Sequence, residues 1–222
     1  KDYDEAITLD PKDASAFRGR GNAYLKKNEH ELAIKDYDEA IDLDPKDKGA
    51  YHNRGTAYRD QGEYDNAIKS YGGAIALDPN YTLAYRNRGL AYYNKGELDS
   101  AIGDFDKFIA LDPKYSSIYN ERGNAYFQKK EYKRAIKDYD KAIGLDPKYS
   151  AAYYNRGITY HNVGELDRAI EDFGGAIAHD PNYAMAYHSR GLTYHKKGEL
   201  VRAIKDYDEA ITLDPKDASA FR

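Results

Sequence analysis

Three histidines are the side chains in this sequence best suited to chemistry, because neutral imidazole is the commonest metal ligand in proteins. His188 and His195 are seven residues apart, two turns along one helix face, and His161 stands 34 residues before His195. A metal site needs closer convergence and a carboxylate behind its ligands, and the sequence has no His-x3-His pair and no HExxH motif. We therefore interpret the histidines as polar aromatic side chains lining a surface, and we expect no metal and no cofactor.

Motifs for enzymatic catalysis are absent from the sequence. It contains no nucleophile elbow, phosphate loop or dinucleotide fingerprint, and no cysteine that could act as a nucleophile. The net charge of −4 is mild and of the wrong sign for a nucleic-acid-binding protein. No stretch approaches the ~18 to 20 apolar residues of a membrane span or the core of a signal peptide. We predict a protein that is not an enzyme, binds no nucleic acid and does not insert into membranes. The compartment stays open, with the cytoplasm favoured.

The elements that position these side chains follow from an internal period of 34 residues. Arg-Gly dipeptides recur at this spacing from Arg20-Gly21 to Arg190-Gly191, and Ala-Ile dipeptides recur from Ala33-Ile34 to Ala203-Ile204. Every proline follows an aspartate, and consecutive prolines are 34 residues apart: Pro11, Pro45, Pro79, Pro113, Pro147, Pro181 and Pro215. Three independent series in the same phase establish a repeat protein.

Each period predicts two helices, which we name helix A and helix B. In residues 14–47, Phe17, Gly21 and Tyr24 share one face at spacings of four and three residues. A second apolar stripe follows at Ala33, Tyr37, Ala40 and Ile41. A glycine, such as Gly62, separates the two patterns in most later copies, and Asp-Pro ends the second. Each period is a helix hairpin that must stack on its neighbours to bury both stripes.

The repeat resembles the tetratricopeptide repeat family. The family's series reads Phe17, Gly21, Tyr24, Ala33, Tyr37, Ala40 and Pro45 in the first full copy. The resemblance implies an all-α fold, a right-handed α-solenoid of stacked antiparallel helix hairpins, with helix A lining a concave groove. We expect a single array over residues 1–222, with a partial repeat (helix B only) at 1–13 and the start of a further helix A at 218–222. Full repeats are expected at 14–47, 48–81, 82–115, 116–149, 150–183 and 184–217.

The groove residues follow from the phase of helix A. Charged side chains at these positions give the groove a net charge of +3, opposite in sign to the whole chain, which favours an acidic partner. The positive charges concentrate in the first three repeats, whereas aromatic residues and histidines dominate the last three. The side chains that we expect to contact a partner are Arg18, Asn22, Lys26, His52, Asn53, Arg59, Arg86, Asn87, Phe127, Tyr154, His161, His188 and His195.

Part of this groove resembles the clamp with which some family members hold the C-terminal carboxylate of an acidic peptide. Asn22 and Asn53 match two clamp asparagines, and Arg18 stands in place of the first lysine. Leu83 and Asn87 replace the second lysine and the arginine. Since arginine and lysine are not interchangeable at a carboxylate site, the resemblance implies a looser site for an acidic segment.

Six arginines stand where the family usually has a buried leucine: Arg20, Arg54, Arg88, Arg122, Arg156 and Arg190. Helix B carries an acidic residue in matching phase at Asp36, Asp104, Asp138, Asp172 and Asp206, and at Asp2, with Ser70 as the exception. Because a buried charge needs a partner, we predict a structural ladder of ion pairs between adjacent hairpins, for example Arg54 with Asp36. The alternative is an exposed arginine track for a polyanion.

Two functions are compatible with these features. The first is a non-enzymatic scaffold whose groove binds a peptide or partner segment, acidic at the N-terminal half. The second is a structural protein that stacks head to tail into a longer superhelix. Residues 1–18 and 205–222 are identical, which a recent duplication in a longer array or the choice of chain ends would explain. We interpret the chain as a fragment of a longer array.

Overall fold

The computed structural model describes residues 2–215, and it gives no side-chain placement for Asp2. Within this range the chain is all α-helical, without a strand, as the sequence predicts. The thirteen helices are α1 (Asp2–Leu9), α2 (Ala14–Lys26), α3 (His30–Leu43), α4 (Lys48–Asp60), α5 (Tyr64–Leu77), α6 (Thr82–Lys95), α7 (Leu98–Leu111), α8 (Ser116–Gln128), α9 (Tyr132–Leu145), α10 (Ser150–Val163), α11 (Leu166–His179), α12 (Ala184–Lys196) and α13 (Leu200–Leu213). The helix A expected at 218–222 lies outside the described residues.

The helices pair as hairpins in two compact units, residues 1–113 and 114–222. In the first unit, α1 packs on α2, and three hairpins follow, α2–α3, α4–α5 and α6–α7. The second unit contains the hairpins α8–α9, α10–α11 and α12–α13. The strongest packing is inside each hairpin, and each hairpin then packs on the next within its unit. Even-numbered helices from α2 onward are therefore helix A of a repeat, and odd-numbered helices are helix B.

Small residues on helix A allow large aromatic residues of helix B into each core. Tyr37 and Phe173 are fully buried, each packed beside the alanine four residues before it. A Cβ atom on Gly21 would lie only 2.8 Å from Cε1 of Tyr37, so this glycine makes room for the ring. In the Gly-Gly pair of α5 the glycine is on helix B and the ring on helix A, since Gly73 lies against the ring of Tyr51 from α4. Close approach of helices within a hairpin explains both glycines.

The connections between helices fall into two types. Asp13 and Asp47 cap α2 and α4, and each side chain accepts two backbone N–H groups. The later helices A begin after a tyrosine that makes no such bond, for example Tyr81 and Tyr183. The turns from helix A to helix B need a left-handed residue, which is glycine in four copies, including Gly62 with φ of 80°.

No helix in the described range is long and apolar enough to cross a lipid bilayer.

Candidate functional site

A chain of hydrogen bonds connects the helix A faces of the first unit. Tyr37 donates its hydroxyl to Asn22 Oδ1 at 2.8 Å, and the same oxygen accepts Asn53 Nδ2 at 2.8 Å. Asn53 Oδ1 lies 3.0 Å from His52 Nδ1, and Asn87 Nδ2 lies 2.9 Å from His52 Nε2. The four polar groove residues come from α2, α4 and α6, so this chain fixes side chains of three repeats relative to one another.

His52 is the centre of this chain, and its partners determine its protonation. Because Asn53 Oδ1 can only accept, Nδ1 carries the proton, and Nε2 accepts from the amide of Asn87. Burial lowers the pKa of His52 below its usual value of 6.5, and the charge of Arg59 lowers it further. His52 is therefore held neutral. Arg59 extends the chain, since its Nη1 lies 3.5 Å from Asn87 Oδ1.

Two of the expected groove cations are already engaged by carboxylates of the protein. Nη1 of Arg18 donates to both carboxylate oxygens of Asp47, at 2.8 and 2.9 Å. Arg59 donates to Asp60 Oδ1 at 2.8 Å. Lys26 is exposed, and in the part of the chain that the structure describes it forms no ion pair. Asp47 lies in the turn before α4 and is not a helix A residue. The net positive charge of the groove is therefore lower than the helix A residues alone indicate.

Arg18 and Asp47 belong to a pairing that sequence analysis missed. A groove residue contacts the residue 29 positions later, which precedes the next helix A. His52 lies 5.2 Å from Tyr81 between ring centroids, and Tyr154 lies 4.9 Å from Tyr183. An arginine thus faces an aspartate, and an aromatic ring faces a tyrosine. The constant offset of 29 is present in the sequence, and it is the signal that could have identified the pairs.

The second unit brings together a second set of polar groove residues. Tyr154 Oη lies 3.4 Å from Ser189 Oγ. His161 Nδ1 lies 2.8 Å from Thr193 Oγ1, whose proton goes to the carbonyl oxygen of Ser189. His161 therefore donates from Nδ1 and keeps Nε2 as an acceptor. Burial lowers the pKa of His161, and the charge of Lys196 contributes.

Ring contacts position two of the other groove residues. Phe127 packs on Tyr132 with ring centroids 5.6 Å apart, and His188 lies 5.8 Å from Tyr207. His195 is exposed at the end of α12, and Arg86 is half-buried on α6. Among the described residues, no group of three His, Asp or Glu side chains has the arrangement of a metal site.

The arginine series forms bidentate ion pairs inside each hairpin. Five arginines donate from Nε and Nη2 to the two oxygens of the aspartate 16 residues later, at 2.6–2.8 Å. The pairs are Arg20 with Asp36, Arg88 with Asp104, Arg122 with Asp138, Arg156 with Asp172, and Arg190 with Asp206. The aspartates are almost fully buried, 3–6% exposed. Arg54 instead donates to Ser70 at 3.2 Å.

The example pair that we expected from the sequence, Arg54 with Asp36, is wrong. Asp36 is taken by Arg20 of its own hairpin, because those two positions face each other across the interface between helix A and helix B. The arginine also contacts the preceding hairpin, but there its partner is the aspartate two residues after the one that forms the bidentate pair of that hairpin. Nη1 of Arg54 donates to Asp38 at 2.5 Å, and Nη1 of Arg156 donates to Asp140 at 2.6 Å.

Comparisons with known proteins agree with this architecture. A model of the TPR repeat matches residues 21–58, 55–96, 89–130, 123–164 and 160–198, and a tetratricopeptide repeat model matches 184–217. No curated protein matches the chain significantly.

Solved structures give close structural matches. The crystal structure of MamA is 34% identical, with a TM-score of 0.68, over 74% of this chain and 96% of that chain. YrrB, a TPR protein with an unusual peptide-binding site, is 25% identical with a TM-score of 0.64, over 81% of this chain and 93% of its own. A tetratricopeptide repeat protein from Parabacteroides merdae has a TM-score of 0.78 at 23% identity, over 90% of this chain and 79% of its own, and supports the fold alone.

Proposed function

The chain belongs to the tetratricopeptide repeat family, and from this premise we propose that it is a non-enzymatic scaffold that binds an acidic segment of a partner protein. The binding surface would be the helix A face of the first unit. Proteins of this family generally mediate protein–protein interactions. The similarity to YrrB, a protein with a peptide-binding site, supports a peptide as the ligand.

The observation that carries the proposal is the hydrogen-bond chain through Asn22, Asn53, His52 and Asn87. It holds the amides in place before a ligand arrives, which reduces the ordering cost of binding. Asn22 uses only its oxygen in this chain, and among the described residues its Nδ2 group meets no acceptor. Such a donor suits a carbonyl or carboxylate oxygen of an extended peptide.

Preference for an acidic segment rests on Lys26 and Arg18. Lys26 is exposed, and Arg18 keeps 40% of its side chain exposed beside Asp47. A cavity of about 510 Å³ is lined by Arg18 and Asp47 and also by Asp44, Lys46 and Lys48. Lys48 is paired with Asp78. A ligand carboxylate would compete with Asp47 for the guanidinium group, so we expect modest affinity and a strong dependence on this aspartate.

Substitution of Asp47 tests the proposal. Asp47→Asn keeps an oxygen for the helix cap but removes the charge that occupies Arg18. Against a library of acidic peptides, each with a free or an amidated C-terminus, we expect Asp47→Asn to bind hits several-fold more tightly than the wild-type protein. Arg18→Gln with Lys26→Gln should bind several-fold more weakly. Equal affinities for all three proteins, measured by calorimetry at low salt, would contradict the proposal.

A second function, head-to-tail stacking, is favoured by an apolar surface on α13. Leu200, Val201 and Ile204 are 54%, 83% and 59% exposed, whereas Ile102, which occupies the position of Ile204 three repeats earlier, is 9% exposed. On α2, Ala23 is exposed, although Ala57 in the same phase is fully buried. We propose that α13 of one copy docks on α2 of another and takes the place of α1, which packs on α2 within one copy. Light scattering over a hundredfold concentration range tests this, and a constant mass near 25.2 kDa would exclude it.

A further inference from the structure

A basic cavity lies away from the helix A faces, at the turn between α8 and α9. It has a volume of about 420 Å³ and is lined by Lys130, Glu131, Tyr132, Lys133, Arg134 and Val163. We name it the edge pocket. Three of its six side chains are cationic and one is anionic, although the chain as a whole has a net charge of −4.

The same place in other repeats carries the opposite charge. A cavity of about 280 Å³ at the α4–α5 turn is lined by Glu63 and Asp65, with Lys95 as its single cation. A cavity of about 310 Å³ at the α2–α3 turn is lined by Glu29 and Glu31 and has no lysine or arginine. The edge pocket is therefore a repeated feature of the architecture whose charge is reversed in one copy.

The reversal removes an ion pair that two other turns contain. At the α4–α5 turn, Lys95 Nζ lies 2.7 Å from Asp65, and this pair spans two hairpins. The same pair recurs between Lys197 and Asp167, 30 residues apart, at 2.5 Å. In the edge pocket the two positions hold Lys133 and Val163. Val163 is 41% exposed, so this cavity has an apolar side chain and a lysine where those two turns have an ion pair.

The lysines of the edge pocket are available to a ligand. Glu131 is engaged by Arg134 at 2.8 Å and by Lys129 at 3.1 Å. Across residues 2–215, neither Lys130 nor Lys133 has an ion-pair partner.

Lys130 holds a left-handed backbone, with φ of 60°, where four other copies have glycine. This conformation is strained for a residue with a side chain, and such strain clusters at functional sites.

We propose that the edge pocket is a second binding site, which takes an acidic peptide with one apolar side chain between carboxylates. The apolar side chain would lie on Val163 and the ring of Tyr132, and the carboxylates would pair with Lys130 and Lys133. Its lining residues differ from those of the proposed helix A site in the first unit.

The test uses a fluorescent peptide, acetyl-Glu-Asp-Leu-Asp-Glu-amide, and the full chain. The decisive variant is Lys133→Asp with Val163→Lys, which rebuilds the ion pair of the other turns and should leave the fold intact. We expect it to bind the peptide roughly fivefold or more weakly in fluorescence anisotropy at low salt, because one attractive pair becomes repulsive. Lys69→Gln, an exposed lysine with the same change in net charge, should bind like the wild-type protein.

Two further measurements make the result specific to this site. A peptide with serine in place of leucine should bind several-fold more weakly, since it cannot use Val163. Peptides whose binding weakens in Arg18→Gln with Lys26→Gln should bind Lys133→Asp with Val163→Lys as they bind the wild-type protein, which separates this site from the helix A face. Unchanged affinity in Lys133→Asp with Val163→Lys would overturn the proposal. Equal binding of the serine peptide would also overturn it, because the interaction would then be charge attraction alone.

Discussion

His52 is the residue at which the polar chain of the first unit should respond to pH. Burial lowers its pKa below 6.5, so below that pH the unfolded chain takes up a proton that the folded protein does not. Folding stability is therefore lost as the pH falls from neutrality through 6.5 towards the lower pKa of His52 in the folded protein. Protonation would also turn Nε2 into a donor facing the amide of Asn87.

We expect His52→Gln to show a shallower loss of stability than the wild-type protein over that pH range. Urea denaturation of both proteins at several pH values measures the difference, and the other histidines contribute equally to both curves. The same comparison with His195→Gln is the control, because His195 is exposed on α12. Parallel curves for His52→Gln and the wild-type protein would mean that His52 titrates alike in the folded and unfolded states.

Arg88 and Asp104 allow the energy of the arginine series to be measured. Asp104 is 6% exposed and receives two bonds of 2.7 Å from Arg88. Arg88→Leu should cost about 3 kcal/mol of unfolding free energy, because it leaves a buried carboxylate without its partner. Arg88→Leu with Asp104→Leu should recover most of that loss. Chemical denaturation measures both values, and a double variant as unstable as the single one would show that packing rather than charge dominates.

Asp104→Ser provides a control, because it reproduces the residue that another repeat of this chain has at the same position. Ser70 occupies the equivalent position and accepts from Arg54 at 3.2 Å. This variant leaves the arginine partly exposed, so we expect it to cost less than Arg88→Leu, about 1 kcal/mol.

At the level of elements, the turn from helix A to helix B gives a test of backbone strain. Lys130 and Asn28 take left-handed φ values of 60° and 59°, where Gly62 has 80°. Lys130→Gly should raise the unfolding free energy by about 0.5–1 kcal/mol, because glycine adopts this conformation without steric cost. Gly62→Ala should lower it by a similar amount, and its Cβ would meet nothing within 4 Å, so the change is confined to the backbone. Thermal melts measure both, and a destabilised Lys130→Gly would contradict the strain.

The helices and their order could be predicted from the sequence, whereas the contacts between elements could not. The 34-residue period, the Asp-Pro ends and the apolar stripes are local signals, and they define the hairpins. The partner of Arg54 depends on which helix B aspartate its guanidinium reaches, and Asp36 and Asp38 both have the right chemistry. The ion pair between Arg18 and Asp47 could not be predicted from the charges of helix A alone, because Asp47 lies in the turn before α4.

At the scale of the chain, packing is short-range. Within each unit a helix contacts helices one or two places away along the sequence, and no longer-range pairing occurs among the described residues. The stability of such a stack is approximately a sum of hairpin and nearest-neighbour terms. A local defect in one hairpin should therefore weaken that hairpin most, its neighbour less, and the next hairpin least.

Gly21→Ala places such a defect in the first full hairpin. Its Cβ would lie 2.8 Å from the ring of Tyr37, which is fully buried and has no room to move, so we expect a loss of about 1–2 kcal/mol. Amide hydrogen exchange should become roughly tenfold faster in α2 and α3, less so in α4 and α5, and nearly unchanged in α6 and α7. Gly103→Ala is the control, since its Cβ would meet nothing within 4 Å on α7. An equal increase in exchange across all three hairpins would show that the first unit unfolds as one cooperative body instead.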